Sequence, residues 1–240
     1  MGRVLVMSLC LVCLVAGCAP DGGPAAYVTV NVPPDDECVG DPDTELFISS
    51  GLYDIALGGS SRSRACQDAY YMLLKVNSAL KQNGSEAIGR AEPNVLMLSD
   101  AEVRLIDVEQ QATIGFDDLP NPFRVKVNNF LPPASGSEPQ SGIVRVEAIP
   151  IGYDEQLSDY VGKQILAEVQ IFGTTLGDVA VDFSVFEFPI RICDGCLTRC
   201  LSEDFDEGAD PAATGGCLDG QDGRLCIDAT DTCDPRAADR

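Results

Sequence analysis

Residues 186–201 read FEFPIRICDGCLTRCL. Phe186, Phe188, Ile190 and Ile192 fall on one face, and Glu187, Pro189 and Arg191 on the other. That period of two is the pattern of a half-buried β-strand. Pro189 lacks an N–H, so the strand must run along an edge or carry a bulge at that point. The apolar alternation then stops, and Cys193, Cys196 and Cys200 follow in close succession. Cys193-Asp194-Gly195-Cys196 could be a redox pair, half of a zinc site, or the start of a disulfide-stapled region. The compartment decides among these three.

Working backwards, the same alternation recurs in Arg124-Val-Lys-Val-Asn128, Val144-Arg-Val-Glu-Ala148 and Ala167-Glu-Val-Gln-Ile171. Further strands are expected at 46–57, 70–76, 95–98, 102–108 and 179–185, with turns at Gly58-Gly59, Asn83-Gly84, Asp117 to Pro120, Pro132-Pro133, Gly173 and Gly177-Asp178. Asn83-Gly84 between two apolar runs reads as a hairpin turn. Only Asp159 to Leu166 offers a short helical alternative. Many short strands with one apolar face describe an all-β fold, an antiparallel β-sandwich of immunoglobulin-like type over 46–192. Residues 193–240 form an irregular Cys/Asp-rich tail whose order must come from disulfides, because it has no apolar periodicity with which to build a core.

The opposite end supplies the compartment. Arg3 precedes an uncharged apolar run from Val4 to Ala16, which is too short for a spanning helix of about 20 residues and is laid out like a secretory signal. Val15-Ala16-Gly17-Cys18 looks like a bacterial lipobox, making 1–17 a lipoprotein signal peptide. Cys18 is then the acylated first residue, carrying palmitate-type chains. Several acyl chains, at about 0.8 kcal/mol per buried methylene, would anchor the chain to the membrane stably. Ala19 after the cysteine points to an outer-membrane address in the cell envelope. Residues 18–45 read as an acidic Pro/Gly-rich tether, within which Tyr27 to Val32 alternates and offers a first edge strand.

Without Cys10, Cys13 and Cys18, eight cysteines remain: Cys38, Cys66, Cys193, Cys196, Cys200, Cys217, Cys226 and Cys233. An even number beyond an export signal reads as disulfides. Cys38 with Cys66, and the last six among themselves, is one plausible division. The formal net charge is −22, with 38 acidic and 16 basic residues, so nucleic acid is excluded as a partner.

Chemistry is constrained by the absence of histidine, which removes Ser-His-Asp and Cys-His nucleophiles and every His-containing metal site. Ser78-Ala-Leu-Lys81 matches an S-x-x-K pattern but lacks the S-D-N and K-T-G elements that such enzymes need. A redox Cys-x-x-Cys requires a βαβ setting, and here it follows β-strands with Asp194 between the thiols. Cys193, Cys196, Cys200 and Cys217 could bind zinc, but oxidation competes with metal outside the cytoplasm. The tail aspartates Asp219, Asp222, Asp228 and Asp231 are calcium candidates by donor type. A loop starting at Asp219 nevertheless fails the EF-hand pattern, with Gln221, Gly223 and Arg224 at its third, fifth and sixth positions.

The run Glu187-Phe-Pro-Ile-Arg-Ile-Cys-Asp-Gly-Cys-Leu197, with Gly220-Gln-Asp-Gly223 among spaced cysteines, resembles the C-terminal region of lipoproteins from myxobacteria and their relatives. In those proteins a phrase similar to Val169-Gln-Ile-Phe-Gly-Thr-Thr-Leu-Gly177 precedes the cysteines. The resemblance spans about residues 165–233 plus the signal. It implies a lipobox with a β-rich body and brings no activity. The expectation is a membrane-anchored envelope lipoprotein, not an enzyme and without cofactor. Its partners would be membrane lipid, through acylated Cys18, and an envelope protein or polymer that the sequence does not name. The alternatives are a calcium-dependent adhesive module and, in another class, an envelope cysteine oxidoreductase or carboxylate-based hydrolase.

Overall fold

A computed structural model describes residues 24–35, 38–57, 69–84, 91–200, 221–222 and 226–228, with 198–200 and 226–228 described by backbone alone. Twelve strands are present among them: β1 (Ala26–Asn31), β2 (Gly51–Asp54), β3 (Tyr70–Ser78), β4 (Leu96–Asp107), β5 (Ala112–Thr113), β6 (Phe123–Leu131), β7 (Gln140–Ile149), β8 (Gln164–Thr175), β9 (Ala180–Asp182), β10 (Phe186–Cys193), β11 (Thr198–Cys200) and β12 (Cys226–Asp228). Apart from 3-10 turns at Ile55–Leu57 and Ser158–Tyr160, the described chain is all-β.

Two sheets form the body. A small sheet has the order β1-β3-β7, and a large one runs β2-β10-β8-β4, with β5 and β6 both on the far side of β4 and β9 pairing β8. Their facing surfaces follow from the alternation. Ile165, Ala167, Val169 and Ile171 of β8, and Phe188, Ile190 and Ile192 of β10, are buried against Met72, Leu74 and Val76 of β3 and Val144 and Val146 of β7. Each large apolar side chain removed from water contributes about 1.5–3 kcal/mol, so this shared interior holds the two layers together. On the outer face of the large sheet several of the intervening positions are charged, and cross-strand ion pairs join Arg104 to Glu168, Arg124 to Glu102 and Lys126 to Asp100.

Several details depart from the sequence reading. The segments 95–98 and 102–108 are one strand, β4, with a register shift between Leu98 and Asp100 against both neighbours. Asn83-Gly84 closes no hairpin, because β3 and β4 lie in different sheets. The N–H groups of Asn83 and Gly84 instead donate to the Glu92 carboxylate at 2.8 and 2.5 Å. Residues 18–45 are not a tether along their whole length. Ala26–Asn31 is a paired strand, and Ala26 and Val32 are buried, so the sandwich begins before residue 46. The helical alternative at 159–166 gives way to the 3-10 turn and the start of β8, whose inward Ile165 is fully buried. The sheets are not wholly antiparallel: β2 joins β10 in parallel, from Ile190 opposite Gly51 to Cys193 opposite Asp54.

That parallel ladder begins one residue after Pro189, which pairs only with Leu166 of β8. The missing N–H therefore falls where β10 has a neighbour on one side, as the proline required.

Candidate functional site

β10 delivers Cys193 to the end of the large sheet, directly opposite Asp54 of β2. Cys193 and Cys196 are joined in a disulfide, with Cα atoms 5.9 Å apart. Gly195, between them, has φ of +74°, a left-handed conformation that favours glycine. The turn is anchored from beneath by the fully buried Asp54. Its carboxylate accepts N–H groups of Gly195 (2.7 Å), Leu197 (2.7 Å) and Ala56 (3.0 Å). The Asp54 carboxylate and the two sulfurs lie within 4.8 Å of one another. With the sulfurs bonded to each other, this group is an oxidised turn held on a carboxylate.

A second cluster adjoins it. Gln221 and Asp222 lie about thirty residues further along the chain and return to the sandwich where the two sheets meet. Gln221 is 2% exposed and forms an isolated bridge to Tyr53 of β2. Its side chain accepts the Tyr71 N–H at 2.9 Å and donates to the Tyr71 carbonyl at 2.7 Å, copying a backbone ladder on β3. The Asp222 carboxylate accepts the Leu52 N–H at 3.0 Å and the Tyr70 hydroxyl at 2.7 Å, while its own N–H donates to the Leu52 carbonyl at 2.8 Å. These two tail residues thus bond both β2 of the large sheet and β3 of the small one.

The tyrosines are part of the same cluster. Tyr53 and Tyr70 pack edge to face with centroids 5.8 Å apart, and the Tyr53 hydroxyl donates to Asp154. Burial, and secondarily the Asp222 carboxylate, push the Tyr70 phenol well above its ordinary pKa. Gly51 is required here for space, because a methyl group on it would run into the Tyr70 hydroxyl and ring.

A shallow groove of about 550 Å³ lies on the outer face of the small sheet. A polar chain crosses it: the Ser141 hydroxyl donates to Asn77 (2.7 Å), the Asn77 amide to Thr29 (3.2 Å), and the Thr29 hydroxyl to the Lys75 carbonyl (3.2 Å). Leu46 and Phe47 stand at its rim, 68% and 63% exposed.

Of the residues singled out from sequence, Cys193, Cys196 and Asp222 come together at this end of the sandwich. Cys38 is also disulfide-bonded. Cys18, Cys66, Cys217, Cys233, Asp219 and Asp231 lie outside the described residues, and Cys200, Cys226 and Asp228 are described by backbone only, in the parallel pair β11–β12. The Asp222 carboxylate is engaged with Leu52 and Tyr70 through one oxygen and with the Gln221 amide through the other. Ser78 lies buried at the end of a strand, not at a helix start, and Lys81 reaches the Gly136 carbonyl at 3.0 Å. Asp54 and Gln221 were not foreseen. The one available signal for Asp54 was a lone carboxylate inside the apolar run Leu52 to Leu57. Compared with known proteins, the chain matches no family model and no curated sequence.

Proposed function

We propose that this chain is a membrane-anchored lipoprotein of a bacterial cell envelope, related to the myxobacterial proteins it resembles. In this reading its sandwich has a binding or structural role and performs no catalysis. The observation that carries the proposal is the oxidised state of Cys193–Cys196 beside the disulfide-bonded Cys38. Structural disulfides belong to exported compartments, which is where a lipobox at Val15–Cys18 sends a chain. In this reading, attachment through acylated Cys18 holds the acidic domain within the envelope, where its charge favours solubility and repels anionic polymers.

The strand order supports the finer fold reading. A three-stranded sheet β1-β3-β7 facing a larger one that includes β2-β10-β8-β4 is compatible with the immunoglobulin-like sandwich, a fold that carries binding functions on its edges and loops. Cys18→Ser tests the anchor: the variant should leave the membrane fraction and lose incorporation of labelled palmitate. Continued membrane retention without label would overturn the lipoprotein reading. Free-thiol titration of the native protein should detect none of the eight mature cysteines beyond Cys18, whereas several reactive thiols would favour a redox or zinc protein.

A further inference from the structure

The small sheet ends on β1, and among the described residues that edge has no strand partner. β1 pairs with β3 alone, and among the described residues no backbone group bonds to its other side between Ala26 and Val30. Pairing there is limited to one bridge, Asn31 with Ile48. Thr29 occupies a bulge, with no partner in the β1–β3 register. An exposed edge of this kind is a template for another extended segment.

Its surroundings specify the chemistry of that segment. The chain from Gly40 to Phe47 crosses the small sheet's outer face beside the edge, with Gly40 packed on Ile143 and Val32. Along this crossing Asp41, Asp43 and Glu45 are exposed at alternate positions, followed by the exposed Leu46 and Phe47. There is no basic residue in 38–47. The groove beside it offers aromatic and apolar contact from Tyr27 and Phe47 over its polar floor.

We propose that the β1 edge is the docking site for an extended, lysine- or arginine-bearing segment of a partner protein, which adds as a further strand. The proposal rests on the binding role argued above and names the partner's chemistry. Main-chain bonds to Ala26–Val30 supply the attachment. Alternate side chains then lie over the Tyr27 and Phe47 groove, and the basic ones meet Asp41, Asp43 and Glu45. A second copy of this chain is a poor occupant, because two bodies of charge −22 would meet with like-charged rims. The chain's own tail is equally poor, with eleven acids against three bases in 201–240.

The test uses the full chain, purified in neutral detergent, and three fluorescent eight-residue peptides: alternating Lys and Val, alternating Glu and Val, and the Lys–Val peptide with a central proline. The Lys–Val peptide should bind, weaken by about tenfold or more between low and physiological salt, and slow amide exchange at Ala26–Val30. The Glu–Val and proline-containing peptides should bind at least about tenfold more weakly. Thr29→Pro should abolish binding. The triple variant D41N/D43N/E45Q, which leaves the edge intact, should reduce it about tenfold without changing the melting temperature. Equal binding of the three peptides, or unaltered binding by both variants, overturns the proposal. So does protection of the β1 amides before peptide is added, which identifies a segment of this chain or a second copy as the occupant. Cys18→Ser separates this proposal from the anchoring one, since losing the anchor should leave peptide binding unchanged.

Discussion

The edges of β2 and β1 face the same problem and meet it differently. Both present backbone groups at the end of a sheet, which promote unwanted pairing when left uncovered. At β2 the chain closes the edge with its own tail: Gln221 and Asp222 bond Leu52, Tyr53 and Tyr71, and the disulfide turn is fastened to Asp54 next door. At β1 the protection consists of a bulge at Thr29 and a crossing of acidic side chains, and among the described residues no backbone group bonds its outer side from Ala26 to Val30. One edge is buried structure, and the other is surface guarded by charge. Substitutions should therefore be costly at the first edge and nearly silent at the second.

The largest effect is expected from Asp54→Ala. It strips the buried Leu197 N–H and the half-buried Gly195 and Ala56 N–H groups of their acceptor, and an unsatisfied buried group costs about 1–3 kcal/mol. A loss of about 3–5 kcal/mol in urea unfolding is expected once partial relaxation is allowed for. A loss below about 1 kcal/mol would show that the turn does not depend on this carboxylate.

Asp222→Ala should cost somewhat less, about 2–4 kcal/mol, because it leaves the Leu52 N–H and the Tyr70 hydroxyl without their acceptor. Hydrogen exchange sharpens the comparison. Exchange at Leu52 and Tyr71 should accelerate in this variant, while the amides of β1 should be unaffected. Uniform acceleration across both sheets would show that the closed edge is not a local unit.

Alkaline pH probes the same cluster without a mutation. The Tyr70 phenol holds its proton more tightly in the folded chain, so its contribution is fully present below the unfolded value of about 10. Above that pH the unfolded chain ionises first, and stability falls at up to about 1.4 kcal/mol per pH unit for each such group. Tyr153 and Tyr160, also raised chiefly by burial, act in the same direction. Tyr70→Phe should make the decline above pH 10 shallower but not remove it. An unchanged slope would show that Tyr70 is not protected by its burial against Asp222.

The smallest effect belongs to the open edge. Thr29→Ala removes one exposed hydrogen bond to the Lys75 carbonyl and should alter stability by about 0.5 kcal/mol or less. A larger loss in thermal unfolding would mean that β1 is integral to the core beyond its inward residues.

The strands of the large sheet were readable because period-two patterning is a local property. Phe188, Ile190 and Ile192 are buried as their spacing requires, and Glu187 and Arg191 face solvent. Where the pattern conflicted with itself, local reading failed. The shift at Ser99 divided β4 into two apparent strands, and Asn83-Gly84 carried a hairpin signal that the Glu92 carboxylate redirected. The disulfide of Cys193 with Cys196 fits the export reading, but nothing in the order of cysteines indicated that these two would join each other.

The amino-acid order by itself determined the β-rich class, the inward faces of the strands and the change of character at Cys193, because each follows from side chains a few positions apart. Only the tertiary structure decided that Gln221 and Asp222 would close the edge of β2. Asp54 meets Gly195, and Leu52 meets Asp222, across separations of 141 and 170 residues. Contacts over such distances depend on which buried donors remain unsatisfied once the two sheets have packed. No local pattern carries that information.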